Sequence, residues 1–362
     1  MKYLFFQADR EWSGTARAFV SAAHGLARRG HAVSFVADPD STVERVVSET
    51  TTSAGRSLLE VEPMRCGGTS IGLARRLKRL ARTRAADVLL VTTDREHLAA
   101  SLAWRFGSRA RVIRRIRAGR VEEIGRTGRI AARLAPTTYI FATEREAASG
   151  ATPRRAAGVV VAPLGVVQVP PQSAADLLGE SVDVVCVHDA SSRSRAAAAI
   201  RTIAMLAPRH PGLRLVIIGE GIYDDDLKMQ AAALGALDLV TSLGDRADQI
   251  EVMRAARLGW VVAESDTAAY GVLDFMSLGI PVIAPEHTVA KDYVLHDITG
   301  VLVESDDAFM TAAAAAELLT NDGMREAMGA AARSRVLREG AESAMIDGFE
   351  RAADAAVHGR RH

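Results

Sequence analysis

The stretch KYLFFQADREWSGTARAFVSAAHGLARRGHAVSFVAD, residues 2–38, decides the fold. KYLFF is an apolar run of strand length, and the loop QADREWSGTAR follows it. AFVSAAHGLARR has apolar residues at helical spacing, Gly30 stands where a helix C′ glycine belongs, and HAVSFVAD is a second strand. A strand, helix and strand in so short a span predict a parallel pair with a right-handed crossover.

The same alternation recurs outward from this unit. Residues 71–84 predict a basic helix, ADVLLVTT a strand, HLAASLAWRF a helix, and RVIRRI and TYIFAT two more strands, with VVVAPLGVV closing the first half. The segment VVQVPPQSAADLLGES reads as a linker. The pattern then restarts with VDVVCVHDA, a helix over 195–207 and LRLVIIGEG. Helices at 223–235, 247–256 and 270–278 follow, interleaved with LVTSL, LGWVVAES, IPVIAPE and GVLVES, before a mostly helical tail. The expected class is α/β, with two Rossmann-like doubly wound domains facing across a cleft. The boundaries are 1–167, a linker 168–182, a second domain 183–335, and a C-terminal helix 336–362 that crosses back to the first domain.

Composition agrees with a soluble two-domain chain: 362 residues, 48% apolar, 25% charged and a net charge of +1. No run approaches the roughly 20 apolar residues of a membrane helix, and MKYLFFQADREW does not read as a secretory signal. Two distant cysteines, Cys66 and Cys186, suggest neither a disulfide nor a zinc site and suit a cytoplasmic location. The small net charge hides a division. Residues 1–167 carry 28 Lys and Arg against 15 Asp and Glu, or +13, and the remainder carries 17 against 29, or −12. The basic half is expected to meet an anionic surface or acceptor. With 5% aromatic residues and no recognition motif, nucleic acid is not an expected partner.

Several segments, in order, resemble GT-B glycosyltransferases of the retaining family 4 type. GTARAFVSAAHGLARRGHAVSFV is similar to the family's glycine-bearing loop and first helix, APLGVV to its "PNGV" hinge, and HPGLRLVIIGEG with LVTSLGD to "LVIVGDG…V.FLG". LDFMSLGIPVIAPE and HDITGVLVE are similar to "LEAMACGLPVIAT" and "DGENGLLV". The resemblance spans residues 1–304. It implies a nucleotide-diphosphate sugar as donor substrate, no cofactor and no bound metal.

That resemblance also implies site residues. Two carboxylates eight positions apart hold the donor in the family, and the matching positions are Asp266, toward the sugar hydroxyls, and Asp274, toward the ribose. Each is one methylene shorter than the family's glutamate. Asp266 could instead be an exposed loop charge, and Asp274 a helix N-terminal charge. The family's diphosphate clamp is an Arg and a Lys in "GRL.PEKG". Here those positions fall on Asp189 and Ser194, so Arg193 and Arg195, beside the latter, are the candidate replacements. Gly14, Gly219, Glu220, Gly221 and Gly244 are candidate donor-binding positions where backbone comes close to a phosphate or sugar, with tight βα turns as the bland reading. A family histidine after the strand RVIRRI is replaced by arginines, and Arg115 and Arg117 are candidates for an acceptor or other anion, or else a solvated strand end. Asp224–Asp226 read as first-turn helix acids rather than a metal site. The basic segment LARRLKRLARTR (73–84) either lies on anionic lipid or packs on its own domain.

The function expected is retaining transfer of a hexose from a nucleotide-diphosphate sugar to a lipid-linked or glycan acceptor. Two other readings stand beside it: a catalytically degenerate GT-B binding or scaffold protein with a protein partner, and a nucleotide-sugar 2-epimerase, for which no acid–base groups were located.

Overall fold

The structure, a computed structural model, describes residues 1–53, 58–119, 124–149, 152–153, 156–166, 182–189, 192–219, 224–244, 249–304 and 308–359. The chain divides into two compact units, Met1–Gly165 with Glu342–His362, and Val166–Ala341.

The first unit is built on β1 (Lys2–Phe6), α1 (Gly14–Arg28), β2 (Ala32–Ala37), α2 (Thr42–Ser53), β3 (Leu59–Pro63) and α3 (Ser70–Thr83). It continues through β4 (Val88–Val91), α4 (Asp94–Arg105), β5 (Arg111–Arg115), α5 (Arg126–Leu134), β6 (Thr137–Phe141), α6 (Glu144–Ala148) and β7 (Gly158–Val161). The seven strands run β3-β2-β1-β4-β5-β6-β7, all paired in parallel. α2, β3, α5 and α6 were not read from the sequence.

β1 is buried on both faces, as a central parallel strand must be. On one face Phe5 stacks with Phe35 of β2 at 6.0 Å and meets Phe19 of α1 edge-on at 5.1 Å. Ser13 caps α1 by accepting from the Ala16 N–H at 3.3 Å, and Gly30, at φ +87°, turns the chain into β2. The chain's last helix completes this core. It runs Glu342–His358 and inserts Met345, Ile346 and Phe349 beside α1, with Ile346 lying where a Cβ on Gly25 would be. Polar contacts rim that seam: Arg28 pairs with Glu342 at 2.7 Å, and Arg29 with both Asp347 and Glu350 at 2.6 Å.

The second unit contains β8 (Val182–His188), α7 (Arg193–Leu206), β9 (Leu215–Gly219), α8 (Asp224–Ala233), β10 (Val240–Gly244) and α9 (Gln249–Arg254). It is completed by β11 (Ala256–Val261), α10 (Ser265–Leu278), β12 (Val282–Pro285), β13 (Gly300–Val303), α11 (Ala308–Thr320) and α12 (Asp322–Glu339); the helix at Glu342–His358 is α13. Its six-stranded sheet has the order β10-β9-β8-β11-β12-β13. In both sheets the order reverses, between β1 and β4 and between β8 and β11. Such reversals open a crevice at the carboxyl ends of the strands, where doubly wound folds bind ligands.

One expectation is corrected, and one choice between two readings is decided. The helix expected at 270–278 begins at Ser265. The leucines of α3 do not form a lipid-facing stripe: Leu73 and Leu77 are fully buried against β1, β4 and α4, because the sheet needs an apolar cover there. Arg75, Arg76, Arg79 and Arg82 remain exposed on the outer face.

Candidate functional site

At the reversal in the second sheet, β8 ends in His188 and Asp189, both buried. The Ser192 hydroxyl accepts from the Asp189 N–H at 2.8 Å and donates to the Asp189 carbonyl at 3.0 Å, closing the turn into α7. The Asp189 carboxylate accepts from the backbone N–H of Glu264 at 2.7 Å. Glu264 is the residue before α10, so Asp189 supplies a helix cap from the neighbouring strand end. Arg195 reaches the same place from α7, donating from Nε to the Val262 carbonyl at 2.9 Å and from Nη2 to the Glu264 carboxylate at 2.7 Å. A diphosphate would therefore meet Asp189 with its carboxylate turned to α10, not a basic clamp, and Arg195 with a carboxylate partner already in place.

The two carboxylates of α10 are not surface charges. Asp266 is 1% and Asp274 4% exposed. Asp266 stands in the first turn, which removes the exposed-loop reading. Asp274 lies in the third turn, since the helix starts at Ser265, which removes the helix-terminus reading. A buried carboxylate needs partners, and both have interactions within the protein.

Gly219 ends β9 at φ +138°, and a Cβ there would collide with the His188 carbonyl. Only glycine lets β9 finish this close to β8. Gly244 ends β10 at φ +63° with open space around it. Glu220 and Gly221 lie outside the described residues, as does the side chain of Arg193.

In the first unit Gly14 is the first residue of α1 and is buried. The loop before it is held by Glu96, a fully buried carboxylate of α4. Glu96 accepts from the Ala8 N–H at 2.6 Å and from the Thr92 N–H, Thr92 hydroxyl and Thr93 N–H, each at 2.9 Å. It so ties the end of β1 to the end of β4 across the strand-order reversal. Burial pushes its carboxyl above the ordinary range, against the opposing pull of the Thr93, Ala8 and Thr92 N–H groups. Its local signal, the capping box Thr93–Glu96, is visible in the sequence.

Arg115 is 1% exposed, in the sheet, and is not among the residues lining the pocket at the ends of β4 and β5; its neighbour Arg114 is. A pocket of about 400 Å³ at the ends of β4 and β5 is lined by Thr92, Thr93, Asp94, Arg95, Arg114, Ile116 and Arg117. Arg114 donates from Nε to the Thr92 carbonyl at 3.3 Å and from Nη1 to His97 Nδ1 at 3.3 Å, and Nη1 lies 2.7 Å from Asp94. His97 in turn donates from Nε2 to the Thr137 hydroxyl at 2.9 Å, because that hydroxyl donates onward to the Ala135 carbonyl. Burial, with Arg114 alongside, pushes the His97 pKa down to about 3, so the ring is neutral. The sequence reading assigned His97 no role.

Among the described residues no group of three His, Cys, Asp or Glu side chains could hold a metal ion. No described helix is long and apolar enough to cross a membrane.

Residues 174–335 match the family described as Glycosyl transferases group 1. A stretch of 168 residues is 32% identical to a GDP-mannose-dependent alpha-(1-6)-phosphatidylinositol monomannoside mannosyltransferase of Mycobacterium tuberculosis, covering 44% of each chain. The protein of that name from Mycolicibacterium smegmatis is 28% identical over 165 residues, 43% of each chain. The match thus spans less than half the length of these curated relatives. Over the whole fold, Anabaena HepE in complex with UDP-glucose superposes with a TM-score of 0.81 at 17% identity, covering 98% of this chain and 100% of that one. A glycosyltransferase from Rickettsia africae superposes with a TM-score of 0.78 at 12% identity, covering 99% of both chains. The chain has the GT-B fold.

Proposed function

We propose that this protein is a glycosyltransferase that moves a hexose from a nucleotide-diphosphate sugar to an acceptor carried on an anionic lipid or glycan, with retention of configuration. The observation that carries this reading is the group 1 domain match over the second unit, with Asp266 and Asp274 buried on α10 beside the strand-order reversal. Asp274 would hold the ribose and Asp266 the sugar hydroxyls. Mannose from GDP-mannose is the hexose to try first, since the curated relatives are named for it. The basic first half of the chain supports an anionic acceptor.

One observation favours a second reading, a protein that binds a nucleotide sugar without turning it over: the position of the family's clamp arginine holds Asp189, committed to capping α10. Incubation with a panel of UDP- and GDP-sugars separates the two. Sugar transfer or slow donor hydrolysis supports the transferase, saturable binding without either supports the second reading, and no nucleotide binding sinks both.

A further inference from the structure

The pocket at the ends of β4 and β5 is built on a buried cation. Arg114 is 4% exposed and stands on a strand of a parallel sheet, where an arginine is costly to desolvate. Its Nε and Nη1 groups are engaged by Thr92, Asp94 and His97. Its Nη2 group has no partner among the described residues, although the side chain lines the pocket. The position is fixed from behind: a Cβ on Gly128 of α5 would collide with both Asp94 and Arg114, so the pair is packed against helix backbone. Neutral His97 adds no competing charge.

The rim supplies more donors. Arg95 is steadied by its Nη2 group, which donates to the Gly68 carbonyl at 2.8 Å and the Cys66 carbonyl at 3.3 Å, while its other donors have no partner among the described residues. Arg117 lines the opposite strand end. Among the described lining residues three guanidinium groups stand beside one carboxylate, a formal +2 that complements a phosphate monoester. Asp94 Oδ1 is buried beside Arg114 Nη1 and the Gly128 backbone, while the side chain as a whole is 24% exposed and lines the pocket, so the outer side of the carboxylate can accept from a hydroxyl. Tyr139 stands opposite Arg114 in the β5–β6 register, and its hydroxyl is buried without a hydrogen-bond partner among the described residues. Arginine forks suit phosphate oxygens in pairs, and a pocket of about 400 Å³ takes a phosphate joined to a small polyol.

We infer that this pocket is a phosphate-binding site, with Arg95, Arg114 and Arg117 on the phosphate and Asp94 on a neighbouring hydroxyl of the same ligand. As a phosphate site it stands on this geometry. As the place where the acceptor's phosphate docks it rests on the transferase reading above.

Titration calorimetry on the full chain tests it with glycerol 3-phosphate, inorganic phosphate and glycerol as probes. Glycerol 3-phosphate should bind saturably, inorganic phosphate more weakly and glycerol not at all. Arg95→Gln and Arg117→Gln should each weaken glycerol 3-phosphate binding about tenfold or more, whereas Arg79→Gln, on the outer face of α3, should leave it unchanged. Absence of saturable binding by the wild type, or wild-type affinity in both pocket variants, overturns the site. Equal affinity for the two phosphates overturns the role of Asp94 and identifies free phosphate as the ligand. UDP and GDP titrated into the same preparations report on the second unit, so failure of the transferase reading is seen separately.

Discussion

The carboxylate of Asp189 and the backbone N–H of Glu264 are joined by a hydrogen bond of 2.7 Å that spans 75 residues of sequence. It links the end of β8 to the start of α10, the helix that follows β11 on the other side of the strand-order reversal. A residue that resemblance alone would mark as a hostile charge in a diphosphate site is a structural cap. The capping contact would be lost with the side chain, and charge-assisted bonds of this kind contribute about 1.5–3 kcal/mol.

Asp189→Ala should therefore lower the stability of the second unit by about 1.5–3 kcal/mol in urea denaturation. Asp189→Arg, which restores the family's residue type, should be more damaging, because it forces a long cation into a position 7% exposed and removes the cap. A stable Asp189→Arg protein with tighter UDP or GDP binding would show that the charge, not the cap, is what matters there.

Asp274 gives the matching prediction for the nucleotide. Replacing it by Ala should weaken UDP or GDP binding by roughly 1–3 kcal/mol in calorimetry, through loss of the ribose hydrogen bonds. Unchanged affinity in a folded Asp274→Ala protein would remove it from the site.

The pH response of the first unit rests on His97. Its folded pKa, about 3, lies below the ordinary value of 6.5, so the unfolded chain binds a proton that the folded unit refuses. The stability present above pH 6.5 is then lost as pH falls from there toward 3, at up to about 1.4 kcal/mol per pH unit for one proton. Glu96, shifted upward, works in the opposite sense above pH 4.5, where the folded unit holds the extra proton. Comparing wild type with His97→Gln isolates the histidine. The variant should show a shallower loss between pH 6.5 and 5, and parallel curves would refute the assignment.

The parts of this fold legible in the sequence are those whose signal is local. β1, α1 and β2 declare themselves by apolar period, a cap and Gly30. α3 shows its buried stripe at Leu73 and Leu77, although the same stripe serves a lipid surface as well as a sheet, and only the structure tells which. β3 escaped because LEVEP is short, sits at the sheet edge and is only partly buried. The start of α10 was misplaced because ESDTAA reads as a loop, and its cap comes from Asp189, far away in sequence. At β5, alternation predicts that Arg114 and Arg115 face opposite ways, but nothing local says which of them meets a pocket. The sequence reading chose Arg115 and Arg117, and the lining holds Arg114 and Arg117.

The outer face of α3 gives the last prediction. Arg75, Arg76, Arg79 and Arg82 are exposed, while Leu73 and Leu77 are sealed in the core, so any lipid contact made by this helix is electrostatic and lies at the surface. Basic side chains near an anionic surface contribute about 1 kcal/mol each, falling off within a Debye length. The protein should co-sediment with phosphatidylglycerol vesicles at low salt and be released near physiological salt, without the salt-resistant fraction that inserted leucines would leave. Arg75→Gln with Arg79→Gln should reduce binding at unchanged stability. Leu77→Ala should instead cost about 2–5 kcal/mol of folding stability, because it opens a cavity against the sheet. Equal sedimentation with neutral vesicles, or loss of lipid binding by Leu77→Ala in a protein as stable as wild type, would show that the leucines and not the arginines face the membrane.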